Sequence, residues 1–193
     1  MLLPSACSAC GVQGPALCER CWSALRLAPP SEPPAELDSV AALLVYADAG
    51  RELVARLKYR NARSAVGWLA DGMAALVDPE GVDAVTWVPT TPSRRRQRGF
   101  DQGRLLATAV ARRLHRPCPL LLSRREGPPQ TGRSRVQRLV GPELFVRRWR
   151  RSPSRVLLVD DVLTTGATLG GAARVLRVAG AHQVHAVTAA MRR

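Results

Sequence analysis

Two groups of residues in this 193-residue chain have types and spacing that could do chemistry. Toward the carboxyl end, Asp160 and Asp161 are followed by Thr164, Thr165, Gly166, Ala167 and Thr168. Small residues with hydroxyls and unencumbered amides at a helix start form an anion site that favours phosphate. Adjacent carboxylates beside such a cradle make sense once a sugar lies between them. They accept hydrogen bonds from ribose hydroxyls and can attract a hydrated Mg²⁺. The plainer reading is an ordinary strand and capped helix with solvated aspartates. Toward the amino end, Cys7, Cys10, Cys18 and Cys21 form C-x2-C-x7-C-x2-C. Each pair can set two thiolates on one side of a turn, and four thiolates suit Zn²⁺ at a closed structural position. Gly11 and Gly14 allow the turns such a knuckle needs. Disulfides and an iron–sulfur cluster are the competing uses of the quartet.

These residues need elements to position them. Val156–Val159 is a short apolar β-branched run, suited to a strand buried on both faces of a parallel sheet. Leu169, Ala172, Ala173 and Leu176 recur at helical spacing and predict a helix over about Thr168–Ala179. Upstream, strands are expected at Ser39–Tyr46, Asp83–Val88 and Pro119–Leu122, and downstream at Gln183–Thr188. Helices are expected at Arg51–Lys58, Ala65–Val77 and Gly99–His115. Ser123–Gly141 has no sustained period. Strand and helix alternate, which predicts an α/β fold with a parallel sheet covered on both faces. Residues 1–27 are expected to form the knuckle, the proline-rich 28–38 a linker, and 39–193 the α/β domain. Cys118, between two prolines, reads as a small buried hydrophobe.

Composition bounds the partners. No run of about twenty apolar residues is long enough to span a membrane. With no charged-then-apolar leader in view, the cytoplasm is the expected compartment. The formal net charge is +14, almost all of it arginine, for Lys58 is the sole lysine. Such a charge suits polyanionic partners. Eight aromatic residues (Trp 4, Tyr 2, Phe 2) are too few for the usual base-stacking platform. Lys58, just after an apolar stripe ending at Leu57, can be a point-charge contact to phosphate or a solvated surface residue. Thr90 and Thr91, between Pro89 and Pro92 and beside Arg94–Arg98, suit a pyrophosphate or form a simple polar turn. His115, His182 and His185 lie outside these loops, and no Gly-Lys-Ser/Thr signature is present.

The segment VLLVDDVLTTGATLGGAARVL (156–176) resembles the type I phosphoribosyltransferases. The four-cysteine start, LKYR at 57–60, VPTTPSRRRQRGFDQGRLLA at 88–107 and PQTGRSRVQR at 129–138 together resemble the ComF family. That family is associated with DNA uptake in naturally competent bacteria. The resemblance implies a type I phosphoribosyltransferase fold that binds phosphoribosyl pyrophosphate (PRPP) with Mg²⁺, plus an amino-terminal zinc knuckle. It implies that Asp160 and Asp161 meet the ribose and the charge developing at its anomeric carbon. Thr164–Thr168 would hold the 5-phosphate, and Thr90, Thr91 and Lys58 the pyrophosphate. Arg124, Arg133, Arg135 and Arg138 would belong to a flexible covering loop; a disordered basic loop is the plainer account of that stretch. Two positions depart from the family's habit: Asp101 stands where asparagine is common, and Gly141 where an asparagine usually follows the arginine-rich stretch. Two further functions fit the same fold: an active phosphoribosyltransferase of nucleotide salvage, and a non-catalytic competence factor that binds single-stranded DNA or DNA-uptake proteins.

Overall fold

The computed structural model describes residues 6–59, 63–124, 144–147 and 153–192. Its centre is a four-stranded parallel sheet of β1 (Ser39–Val45), β2 (Ala84–Trp87), β5 (Arg155–Leu163) and β6 (Gln183–Met191), in the order β1-β6-β5-β2. Helices α2 (Asp48–Tyr59), α3 (Val66–Ala74) and α5 (Gln102–Arg113) cover one face, and α6 (Ala167–Val178) covers the other. The period of two along the strands explains this division. Leu157, Val159, Val187 and Ala189 pack with Leu53, Leu69 and Leu106. Val156, Leu158, Val184 and Ala186 pack with Leu169, Ala173 and Leu176. The α/β architecture with both faces covered is the one the alternation of elements predicts.

Several elements differ from the sequence expectation. The helix expected over 99–115 is α5, which starts only at Gln102, and a short helix that was not expected, α4 (Pro92–Arg98), precedes it. Gly99 closes α4 at φ 75°, a left-handed conformation that glycine adopts without a Cβ clash, and Asp101 opens α5 as its N-cap. The strand expected at 119–122 does not join the main sheet. β3 (Leu122–Arg124) instead pairs antiparallel with β4 (Leu144–Val146). Pro117 and Pro119 have no N–H to donate to a ladder. Their carbonyls only accept, from Val85 N–H at 2.9 Å and from the Thr86 hydroxyl at 3.0 Å. β5 runs past Val159 to Leu163, because β6 pairs with it throughout, Asp160 opposite Thr188 and Leu163 opposite Met191. The acidic pair is therefore the last part of a strand rather than the loop after it.

The amino-terminal segments are laid against this body. Cys7, Ala9 and Cys21 are buried in the same core as Leu53 and Leu57 of α2. Arg56 donates to the Cys10 carbonyl at 2.9 Å, the Ser8 and Ser64 hydroxyls meet at 2.5 Å, and Trp22 meets Trp68 edge-on at 5.5 Å. In the proline-rich stretch, Ala28 N–H bonds Leu43 O at 3.0 Å along the β1 edge. Glu36 pairs with Arg174, Asp38 pairs with Arg177 at 2.7 Å and accepts from Val184 N–H, and Leu37 is buried. Among the described residues no helix is long and apolar enough to cross a membrane.

Candidate functional site

An open cleft of about 540 Å³ lies at the carboxyl ends of β2 and β5. That is where open parallel sheets place their ligands. β5 contributes Asp160, Asp161 and Val162; the following turn and α6 contribute Thr164 and Thr168. The end of β2 contributes Val88, Pro89 and Thr90, α4 contributes Arg94, Gln97 and Arg98, and α5 contributes Gln102 and Gly103. Lys58 enters from the end of α2 and Arg124 from β3. One cleft thus gathers Lys58, Thr90, Arg124, Asp160, Asp161, Thr164 and Thr168, which lie up to 110 positions apart in the chain (168 − 58).

The two aspartates differ sharply in their surroundings. Asp161 lies in phase with Leu157 and Val159, on the face that α2 and α5 cover. Its Oδ1 takes Lys58 Nζ at 2.8 Å and its Oδ2 takes Gln102 Nε2 at 3.2 Å. The lysine and aspartate side chains keep 18% and 10% of their exposure, so this ion pair is largely shielded. Lys58 is not a solvated surface residue. Asp160 is half-buried, and its Oδ1 accepts the Asp161 N–H at 2.8 Å. Burial first, and then the charge of Asp161, push the Asp160 carboxyl up to about 7, against the pull of Lys58 and Arg124. Arg124 donates to the Pro89 carbonyl at 3.4 Å, and its own burial followed by the nearby charge of Arg94 lowers its affinity for a proton.

The turn after β5 is shaped by Gly166, which sits at φ 75° as the N-cap of α6. A Cβ there would lie 2.5 Å from Pro34 Cγ, so the proline-rich stretch presses directly on this turn. Having no side chain, Gly166 caps nothing; the Thr165 hydroxyl accepts from Ala167 N–H at 3.4 Å. The helix therefore begins with amides and threonine hydroxyls rather than with an acidic cap, which suits an anion. Thr164 and Thr165 are exposed, and Thr168 is half-buried.

Across the cleft, Thr90 lines the wall while the Thr91 hydroxyl accepts from Arg94 N–H at 3.3 Å and caps α4. Asp101 organises this corner. One carboxylate oxygen accepts from Thr90 N–H at 3.2 Å and the Trp87 indole at 3.4 Å, and the other from Arg104 N–H at 3.2 Å. The acidic residue at this position thus serves as an acceptor for three donors, a task that needs only oxygen lone pairs. Gln102 is a site residue that sequence reasoning missed. Its signal was its place just inside the N-cap of a helix that starts at the cleft. Arg133, Arg135 and Arg138 lie outside the described residues.

The four cysteines converge, with every Sγ within 4.8 Å of the others and Cys10 and Cys18 at 3.8 Å. A tetrahedral zinc with Zn–S of about 2.3 Å requires sulfurs about 3.8 Å apart. Gly11 and Gly14 take φ 83° and 142° in the turns between ligands. Although burial opposes it, backbone N–H groups of Cys10, Cys18 and Ala9 hold Cys7 at about 6, well inside the thiolate range at neutral pH. Burial and the neighbouring thiols push Cys21 up to about 12. The donor set fits a structural metal such as zinc. Cys118 stands apart, half-buried, its thiol pushed up chiefly by burial.

A family model described as phosphoribosyl transferase domain matches residues 101–193. The chain is 29% identical over 135 residues to competence protein ComFC of Bacillus subtilis (strain 168), covering 68% of this chain and 55% of that protein. It is 35% identical over 99 residues to competence protein ComFC of Streptococcus pneumoniae (strain ATCC BAA-255 / R6), covering 50% and 43%. It thus spans about half the length of the curated relatives it matches. Among solved structures it is similar to glutamine phosphoribosylpyrophosphate (PRPP) amidotransferase from B. subtilis complexed with ADP and GMP. That likeness has 26% identity and a TM-score of 0.46, over 66% of this chain and 26% of that one.

Proposed function

We propose that this ComFC-like, type I phosphoribosyltransferase-like chain binds PRPP in the cleft and serves DNA uptake from the cytoplasm. The carrying observation is the arrangement of charge. Thr164 and Thr168 of a phosphate-type turn, the acidic pair, Lys58, Arg94 and Arg124 all line one cleft. A ligand that carries a phosphate, sugar hydroxyls and a pyrophosphate matches that set of groups. Magnesium fits in a restricted way. Both Asp161 oxygens already hold side-chain donors, so Asp160 is the less engaged carboxylate and the better placed to meet an ion carried by the pyrophosphate. Such an ion would neutralise phosphate charge. The chain's own residues do the rest: Asp160 faces the sugar, the threonine turn anchors the phosphate, and Arg94 and Arg124 oppose the pyrophosphate.

The relatives' names tie them to competence, and we infer that PRPP occupancy here serves that process rather than nucleotide salvage. The deciding experiment is calorimetry with PRPP and Mg²⁺ on the full chain and on Asp160→Asn. Binding by the natural chain, weakened at least about tenfold in the variant, supports the reading. Equal heats for both, or none for either, overturn it.

A further inference from the structure

Both Asp161 oxygens are already engaged. Lys58 takes one and Gln102 takes the other, and the side chain is 10% exposed. Asp160, its neighbour, faces the cleft. The second aspartate therefore holds the wall together, and a sugar bound here is better met by a further acceptor.

Gln102 supplies one. The residue is 7% exposed and lines the cleft. A carboxylate paired with lysine only accepts, so the amide must turn its Nε2 toward Asp161, and its orientation is set by that contact. The carbonyl end is what remains. Oε1 is buried and has no hydrogen-bond partner among the described residues. Orphaned buried acceptors are uncommon and costly, and one in the wall of a cleft calls for a donor on a ligand. Ionised phosphate oxygens chiefly accept at neutral pH, whereas every sugar hydroxyl can donate.

We propose that Gln102 reads the sugar: its Oε1 accepts from one pentose hydroxyl while Asp160 holds another, and its Nε2 keeps Asp161 in place. This rests on the ribose-phosphate reading and narrows it. The pentose is met by one carboxylate and one carboxamide rather than by two carboxylates. A neutral acceptor also avoids placing a second free negative charge beside the pyrophosphate site. The ligand class is then a 5-phosphorylated pentose bearing both ring hydroxyls, and a deoxy sugar leaves Oε1 unsatisfied.

The test is calorimetry on the full, metal-loaded chain with four probes: ribose 5-phosphate, its 2-deoxy and 3-deoxy forms, and inorganic phosphate. Wild type, Gln102→Leu and Gln102→Met are compared, with thermal melting as a check on folding. Wild type is expected to bind ribose 5-phosphate and to lose affinity for each deoxy sugar. The variants are expected to lose about five- to tenfold for ribose 5-phosphate, the value of one hydrogen bond. They should become indifferent to one hydroxyl deletion and bind inorganic phosphate as wild type does. Equal losses for every probe mean a structural residue and overturn the proposal, as do unchanged affinities. Should both variants fail to fold, a wild-type structure with ribose 5-phosphate decides: Oε1 beyond hydrogen-bond reach of every sugar hydroxyl overturns it, and Oε1 bonded to one supports it. Absence of any ribose 5-phosphate or PRPP binding by wild type overturns the ribose-phosphate reading and this inference with it.

Discussion

Replacing Lys58 by methionine removes a charge while keeping the apolar stem. The Lys58–Asp161 contact of 2.8 Å, at an effective dielectric constant of about 20, carries a gross attraction of about 6 kcal/mol. Much of that offsets the cost of shielding both ions. Breaking such a pair from one side, however, leaves an uncompensated carboxylate and costs about 3–5 kcal/mol. Here the orphan would be Asp161, one residue from Asp160, which already resists ionisation. Losing the lysine removes a group that favours the charged form of Asp160, so that carboxyl should move further up.

The cost must then depend on pH. At pH 8 the pair carries more negative charge than at lower pH and no longer has Lys58 to offset it, and Lys58→Met should lose about 3–5 kcal/mol, about a third of a typical total stability. At pH 5.5 the pair carries a proton and the loss should be clearly smaller. Urea denaturation followed by circular dichroism at the two pH values measures this directly. Adding Asp161→Asn to Lys58→Met should recover most of the loss at pH 8, because the orphan charge is gone. A cost under about 1 kcal/mol at pH 8, the figure for an exposed ion pair, would refute the reasoning. So would a cost equal at both pH values.

Three further outcomes follow from other parts of the molecule. Asp160 is raised to about 7 from an ordinary carboxylate value, so the folded state holds a proton that the unfolded state releases. This contribution is present below about pH 4 and is lost as pH rises through about 7; Asp160→Asn should flatten that slope in denaturation measured across the window. Gly166→Ala should cost about 1–2 kcal/mol for the left-handed conformation alone, and more as Pro34 is displaced. Its melting temperature should fall and its affinity for inorganic phosphate should drop; an unchanged affinity would mean that the turn is not the anion site. Elemental analysis should find one zinc per chain, and strong chelation should lower the melting temperature, since Cys7 and Cys21 are buried against α2. Cys118→Ser should leave the metal content unchanged, and a loss of metal there would point to a different ligand set.

Much of this was legible in the residues. The apolar run before Asp160 and the period of Leu169, Ala172, Ala173 and Leu176 are local patterns, and local patterns encode a strand and a helix. The small residues of 164–168 encode the turn between them. The spacing of the cysteines encodes a knuckle because ligands separated by two residues share one turn. What could not be read were breaks decided by partners. The short α4 was not foreseen, and α5 starts at Gln102 rather than at Gly99 because Gly99 closes α4 in a left-handed conformation and Asp101 then caps α5. β5 continues through two aspartates because β6 pairs alongside it.

The acidic pair shows where the division lies. Composition and order alone determined that two carboxylates precede a phosphate-type turn and that a single lysine stands far upstream. Only the tertiary structure decided that they are unequal. Parallel strand order brings the end of α2 and the start of α5 to the same side of β5, so Lys58 and Gln102 close on Asp161 rather than on Asp160. Contacts across 103 positions (161 − 58) and 59 positions (161 − 102) depend on how the sheet is threaded, and no local pattern of side chains carries that information.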